Sequence, residues 1–165
     1  MKVTILNIGD ELLIGQVVNT NASTMSRMLV ASGMEVKQVV TIADDAEAIT
    51  SQLDKALKES DAVLITGGLG PTKDDITKKT LCEYFGSQLV ENEEALENVK
   101  RIFAKRGFPL TEVNRQQAWV PACCTMLNND VGTAPCMWIE RDGKVVVSMA
   151  GVPFEMEWLM KNRVI

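Results

Sequence analysis

The chain has 165 residues, enough for one domain with a sizeable core. Its hydrophobic content of 46% and charged content of 24% are typical of a globular protein, and its net charge of −5 argues against broad binding to nucleic acid or anionic membranes. No apolar run approaches a membrane span and the N-terminus lacks a signal-peptide pattern, so we expect a cytoplasmic protein.

The residue counts also limit the chemistry. The sequence has no histidine, which excludes Ser-His-Asp and Cys-His catalysis within this chain. It has no Cys-x-x-Cys pair, so the usual zinc patterns fail and all four cysteines are expected to be reduced thiols, mostly buried or half-buried. Acid–base chemistry would then depend on carboxylates, lysine or metal-bound water.

The first part of the chain alternates predicted strands and helices. Branched apolar residues predict strands, apolar residues spaced by three or four predict helix faces, and glycine predicts helix ends. In chain order we expect a strand at 3–8, a shaped loop at 12–18, a helix from the caps at 19–21 to Gly33, a strand at 36–42, a helix opened by a capping box of Asp44 and Glu47, a strand at 61–66 and a helix from Asp75 to near Gly86.

The second part returns to strands after two more helices. Helices are expected at 91–106, 111–118 and 154–161, and strands at 125–127, 137–140 and 145–149, the last two joined by a hairpin turn at 142–143. The order βαβαβα predicts an α/β fold with three α/β/α layers and a mostly parallel sheet. We expect the site beyond the carboxyl ends of the strands, among loops that begin at Gly9, Ala43, Gly67 and Ala150.

Residues 66–77 are the most informative segment, Thr-Gly-Gly-Leu-Gly-Pro-Thr-Lys-Asp-Asp-Ile-Thr. An apolar strand leads into Gly67, Gly68 and Gly70, which would let a ligand approach the backbone near a helix start that favours an anion. The adjacent carboxylates Asp74 and Asp75 would repel a bare phosphate, but they are compatible with one if a divalent cation lies between. The segment predicts a site for a phosphorylated ligand and a hard metal.

Two common phosphate-binding loops are excluded for this segment. It lacks the Gly-Lys-Ser/Thr ending of a Walker A loop and the Gly-x-Gly-x-x-Gly spacing of a dinucleotide fingerprint. A purely structural alternative is that Thr72 caps a helix, Asp75 completes a capping box and Asp74 complements the helix dipole. Capping alone does not explain three glycines.

The same segment closely resembles the signature of the CinA group of competence- and damage-inducible proteins, which share the molybdopterin-binding fold of MogA and MoaB proteins. Four other segments agree with that family, at 9–15, 19–21, 128–135 and 151–156. The resemblance covers nearly the whole chain and implies one MogA/MoaB-like domain over residues 1–165. CinA proteins typically continue into further domains, so we expect a fragment or isolated domain, truncated before further C-terminal domains, to which no deamidase activity belongs.

The resemblance implies two related chemistries. CinA proteins with this domain resemble ADP-ribose pyrophosphatases that use a divalent metal, here Mg²⁺, Mn²⁺ or Co²⁺, whereas MogA relatives bind molybdopterin and adenylylate it or insert molybdate. By position, Asp75 matches the catalytic-region aspartate of the MogA signature, Asp44 matches a second pocket aspartate, and Asp74 is particular to the CinA version. Asp74 and Asp75 are the expected metal ligands, and the family's dimers or trimers imply a homo-oligomer.

The remaining candidate residues also fit purely structural roles. Glu11 is a candidate catalytic ligand or base, although a solvated loop glutamate fits the pattern equally well. Asn21, like Asn19, is a candidate ligand contact, but helix capping suits it better. The other expected ligand- or phosphate-binding residues are Gly67, Gly68, Gly70, Pro71 and Thr72 in the central motif, together with Gly132 and Thr133 in a turn that could also be a bare turn.

Two departures from the family pattern bear on function. Cys136 stands where the family usually has glycine, and Ala150 where it usually has proline; either could crowd the pocket. Three readings therefore stay open: a metal-dependent nucleotide pyrophosphatase, a pterin-binding domain without hydrolysis, and a regulatory or assembly domain with a decayed pocket. The expected partner is a phosphorylated small molecule, ADP-ribose or pterin-like, with no nucleic acid or membrane partner.

Overall fold

The strands form one large and one small sheet in a computed structural model that describes residues 1–73 and 75–165. The eight strands are β1 (Lys2–Ile8), β2 (Glu35–Ile42), β3 (Ala62–Thr66), β4 (Leu89–Glu91), β5 (Trp119–Pro121), β6 (Thr125–Leu127), β7 (Cys136–Arg141) and β8 (Lys144–Met149). Six of them form a sheet in the order β2-β1-β3-β8-β7-β6, in which the first four are parallel and the last two antiparallel. The predicted mostly parallel sheet is confirmed.

The described part of the chain contains seven α-helices, and side-chain caps fix several of their starts. They are α1 (Asp10–Leu13), α2 (Thr20–Ala31), α3 (Ala46–Glu59), α4 (Thr77–Tyr84), α5 (Glu93–Arg106), α6 (Glu112–Arg115) and α7 (Pro153–Leu159). A 3-10 turn follows α6 at Gln116–Ala118, and a wider π turn follows α7 at Met160–Val164. Asn19, Asp45 and Asn92 each accept a backbone N–H in the first turn of the helix that they cap.

The sheet is covered on both faces, which makes the three layers. On one face Leu6 and Ile65 pack with the α3 residue Leu53, and all three are fully buried. On the other face Ile5 packs with Met25 of α2 and with residues of α7. Burial on both faces explains why these strands read as continuous apolar runs rather than as an alternating pattern. In the described residues, no helix is both long and apolar enough to cross a bilayer.

Several predicted boundaries are wrong for identifiable reasons. The cap of α3 is Asp45, whose carboxylate accepts from Ala48 N at 2.9 Å, so the predicted capping box at Asp44 is incorrect. The helix predicted from residue 91 begins at Glu93 because residues 89–91 pair with β5 in a small antiparallel sheet. The helix predicted from Asp75 begins at Thr77. The hairpin turn is confirmed, since Asp142 and Gly143 both have positive φ.

Candidate functional site

The candidate site lies at the carboxyl edge of the parallel strands, where the loop positions predict it. The loops after β1, β2, β3 and β8 surround a cavity of about 480 Å³. Nine residues predicted from the sequence line it: Glu11, Asn19, Asn21, Asp44, Gly67, Gly68, Gly70, Thr72 and Asp75. The structure thus brings together most of the predicted site, while the chemical roles of these residues stay predictions.

The loop that contains Gly67, Gly68 and Gly70, the glycine loop, has little space for side chains because other atoms of the protein pack against it. Gly67 and Gly68 have positive φ values of 110° and 69°. A side chain on Gly67 would collide with the carbonyl oxygen of Ile8, and one on Gly68 would collide with the Thr77 hydroxyl. A side chain on Gly70 would come within 2.7 Å of Asp75 Oδ2. Glycine at 67 and 68 therefore lets the loop that joins β3 to α4 pack against Ile8 of β1 and Thr77 of α4, before any ligand is considered.

Asp75 closes the loop that contains it rather than capping a helix. Its Oδ2 accepts the backbone N–H of Thr72 at 3.0 Å and the Thr72 hydroxyl at 2.5 Å. The alternative in which Thr72 caps a helix is wrong, because α4 begins five residues later and Ile76 occupies its N-cap position. The first N–H of α4 is also taken, since Thr77 N donates to Gly68 O at 3.2 Å. An anion at this helix end would therefore have to use N–H groups that follow Thr77, together with those of the loop.

Asp44 is the most unusual carboxylate of the cavity. Because Asp45 caps α3, Asp44 is left to point into the site, where its backbone N–H donates to Asp10 Oδ1 at 3.2 Å. Its own Oδ1 is buried and, in the part of the chain that the structure describes, has no hydrogen-bond partner. Burial and the charges of Asp10, Glu11 and Asp75 together raise the pKa of Asp44. An uncompensated negative charge is therefore held beside the glycine loop.

A divalent cation fits this charge if ligand phosphates complete its coordination. Among the described residues, no three acidic or cysteine side chains are arranged to hold a metal ion by themselves. Mg²⁺ commonly binds through one or two carboxylates plus substrate phosphates, and the unpartnered Asp44 oxygen could supply such a ligand. Of the two metal ligands predicted from the sequence, Asp75 accepts hydrogen bonds from Thr72, and Asp74 lies outside the described residues.

Asn21 joins two loops of the site instead of capping α2. Its amide donates to Gly151 O at 2.8 Å and to Thr66 Oγ1 at 3.2 Å, while Asn19 makes the cap. Thr66 in turn donates to Ala150 O at 2.9 Å. The capping role expected for Asn21 is therefore wrong, and no local sequence pattern indicates the bridging role of Thr66.

Three predicted ligand residues lie away from this cavity. Pro71 and Thr133 line a neighbouring cavity of about 350 Å³, and Gly132 lines neither. The Thr133 hydroxyl contacts Gln117 Oε1, and the backbone oxygen of Gly132 accepts from Asn98 at 3.0 Å. The turn at 132–133 is thus packed against α5 and its neighbours, which sequence spacing could not predict.

The two departures from the family pattern do not enter the first cavity. Cys136 is fully buried at the start of β7, and burial raises its pKa to about 12. Its thiol packs in the core with Met149 and Met156, so it does not crowd the glycine loop. Ala150 is buried as well and lines only the second cavity. The decayed-pocket reading therefore loses its two main supports.

A sheet of this order, with a glycine loop and a cavity at its carboxyl edge, defines a domain of the molybdopterin-binding class. The family model described as "Probable molybdopterin binding domain" matches residues 4–165. Within that class the chain belongs to the CinA family. It is 48% identical to a CinA-like protein of Flavobacterium psychrophilum over all of this chain and 40% of the relative.

Solved structures agree with this assignment. The protein CinA of Thermoplasma acidophilum, whose function is described as unknown, is 37% identical with a TM-score of 0.87, and the match covers 97% of this chain and 94% of that one. The molybdopterin biosynthesis enzyme MoaB of Thermus thermophilus is 18% identical with a TM-score of 0.63, covering 97% and 87%, which shows the fold alone. Since the chain spans only 40% of the length of the Flavobacterium relative, the activity of the longer protein remains a matter for proposal.

Proposed function

We propose that this domain is a metal-dependent nucleotide pyrophosphatase that acts on ADP-ribose-like substrates. The observation that carries the proposal is the Asp44 carboxylate, which is half-buried, surrounded by like charges and unpartnered at Oδ1 among the described residues. Such an arrangement costs folding free energy unless a cation compensates it. Membership of the CinA family adds support for a phosphorylated ligand.

The reaction adds water across the pyrophosphate linkage. A water oxygen bonds to one phosphorus, the bridging P–O bond breaks, and the products are AMP and ribose 5-phosphate with the release of a proton. In the proposed site Glu11 accepts the proton from the attacking water, and the amides of the glycine loop bind phosphoryl oxygens. Asp44 and Asp75, with Asp74, would hold a divalent cation that neutralises the phosphate charge.

The test is a hydrolysis screen of ADP-ribose and other nucleoside diphosphate derivatives with Mg²⁺, Mn²⁺ and Co²⁺, scored by AMP release. Turnover should require a metal and should stop with EDTA. Asp75→Asn should lose at least about 100-fold in turnover while keeping its fold, and Asp45→Asn, which keeps the cap of α3, should retain full activity. Parental turnover in the folded Asp75→Asn variant would remove Asp75 from the mechanism.

A second candidate is a pterin-binding domain without hydrolysis. The description of the matching family model favours it, and the fold of MoaB agrees. A thermal-shift series with pterins, run beside the same nucleotides, separates the two. A rise in melting temperature with a pterin but with no nucleotide, and no turnover with any metal, would favour the second function over the first.

A further inference from the structure

A second cavity adjoins the first at the glycine loop. The cavity, of about 350 Å³, shares four lining residues with the first: Leu69, Gly70, Gly151 and Val152. A ligand whose phosphates lie at Gly70 could therefore extend into either cavity. Apart from Pro71 and Ala150, the other walls of this second cavity come from α5, α6, the 3-10 turn after α6, the turn at 132–134 and the first turn of α7, all outside residues 66–77.

The far wall of this second cavity presents hydrogen-bonding side chains. Gln117 contacts the Thr133 hydroxyl through Oε1 and donates through Nε2 to Asn114 Oδ1 at 3.4 Å. Arg106 lies near Glu155, and Phe103 offers an aromatic surface. Among the lining residues described, Glu155 contributes the carboxylate. The cavity therefore combines one negatively charged hydrogen-bond acceptor with amide, hydroxyl and guanidinium groups.

Glu155 is held in place by a buried network. Asn129, which is fully buried, donates to Glu155 Oε2 at 2.8 Å and to Ala134 O at 3.0 Å. Asn98 fixes the same turn by donating to Asn129 O at 2.7 Å and Gly132 O at 3.0 Å. A side chain at Gly132 would collide with the Glu155 carboxylate, so the turn is shaped around that carboxylate.

The second oxygen of Glu155 is available to a ligand. In the described part of the chain Oε1 accepts no hydrogen bond, although the side chain is half-buried. Burial raises the pKa of Glu155, and the Asn129 hydrogen bond and the Arg106 charge oppose that rise only in part. A carboxylate repels a phosphate but accepts hydrogen bonds from hydroxyl groups, as acidic residues do with ribose diols in nucleotide sites.

We infer that the second cavity binds a hydroxylated sugar moiety of a ligand whose phosphates lie at the glycine loop, with Glu155 Oε1 accepting hydrogen bonds from the sugar hydroxyls. This inference deepens the proposed pyrophosphatase function and rests on it for the phosphate position. The inference predicts that the second cavity binds the distal ribose of ADP-ribose, a group that ADP lacks.

The test measures binding of ADP-ribose, ADP and ribose 5-phosphate by calorimetry, in EDTA and in Ca²⁺ buffers, to the parent and to Glu155→Gln. The variant should bind ADP-ribose and ribose 5-phosphate at least about 10-fold more weakly and should bind ADP unchanged, because only the sugar contact is lost. Glu157→Gln, on the same helix but paired with Lys161 on the surface, is the matched control and should change none of these affinities.

The outcomes separate the two proposals. Equal ADP-ribose affinity for the parent and a folded Glu155→Gln would overturn the sugar site while metal-dependent turnover still supported the pyrophosphatase. Absence of ADP-ribose turnover together with weaker ribose 5-phosphate binding by Glu155→Gln would support the sugar site and overturn the pyrophosphatase. If the parent binds neither ADP-ribose nor ribose 5-phosphate, both proposals fail. A thermal melt of Glu155→Gln shows that it is folded.

Discussion

Replacing Asp44 by asparagine should make the free domain more stable and at the same time inactive. The substitution keeps the shape of the side chain and removes a negative charge that is half-buried, unpartnered at Oδ1 among the described residues and close to the charges of Asp10, Glu11 and Asp75. Removing such functional-site repulsion typically stabilises a protein by about 1 kcal/mol. For a domain of this size, that gain raises the melting temperature by about 2–4 °C.

The sign of this effect follows from proton linkage. The pKa of Asp44 is raised in the folded state, so the folded domain holds this proton more tightly than the unfolded chain does. The parent is therefore favoured at acidic pH and loses that advantage as the pH rises through the raised pKa. The stabilisation by Asp44→Asn should appear above that pKa and shrink in acid.

The assay is thermal and urea unfolding in EDTA, repeated with Mg²⁺ or Mn²⁺ and ADP-ribose. Asp45→Asn is the control, because asparagine caps a helix as well as aspartate does and Asp44 keeps its negative charge in the cavity. The parent should gain stability from metal and ligand, whereas Asp44→Asn should gain little. A loss of more than about 1 kcal/mol in Asp44→Asn without metal would show that the carboxylate is structural, and the charge argument would fail.

Three further predictions concern other parts of the molecule. Lys78 is half-buried, and burial lowers its pKa to about 8, so the unfolded chain holds this proton more tightly than the folded domain. The free energy of unfolding should therefore rise by on the order of 2 kcal/mol between pH 8 and about pH 10.5. Urea titrations should show this rise in the parent and not in Lys78→Met. Cys136→Gly should destabilise the domain by about 2 kcal/mol through lost packing and added chain entropy and leave ligand affinity unchanged; tighter binding by the folded variant would restore the crowding idea. The domain should form a dimer or trimer, since Ile14, Val18 and Phe154 are exposed apolar residues, and light scattering that shows only monomer at micromolar concentration would contradict this.

The position of the site was predictable because it depends on strong, local signals. Buried parallel strands are continuous apolar runs, and the loops that follow them meet at one edge of the sheet, so Gly67 and Asp44 could be placed together from the sequence. The strand β4 could not be predicted because its last residue, Glu91, also fits the acidic start of the helix that follows, and β5 could not because it ends at Pro121, which disfavours a strand. A buried residue of this pair, Val120 of β5, lies in the core cluster that contains Leu81 of α4, and this contact between distant parts of the chain has no local sequence signal.

The side-chain roles were less predictable than the positions. Asp44 and Asp45 are adjacent and chemically identical, and the choice of which one caps α3 depends on φ and ψ at the helix start. The turn at 132–133 has phosphate-loop composition, yet Asn98 and Gln117 hold it against a different cavity. In both cases a contact between distant parts of the chain decides the role.

Asp45, and not the predicted Asp44, caps α3, and this difference is also the strongest argument for a cation at this site. Capping needs only one of the two carboxylates, and Asp45 supplies it on the exposed side. Asp44 then contributes nothing to the helix and is half-buried among like charges, which lowers the stability of the free domain. A cation shared with ligand phosphates removes that repulsion and gives Oδ1 a partner. The Asp44 carboxylate would therefore lower the stability of the free domain and raise the stability of its complex with cation and ligand. Asp44→Asn tests both effects, because the variant removes the charge in each state.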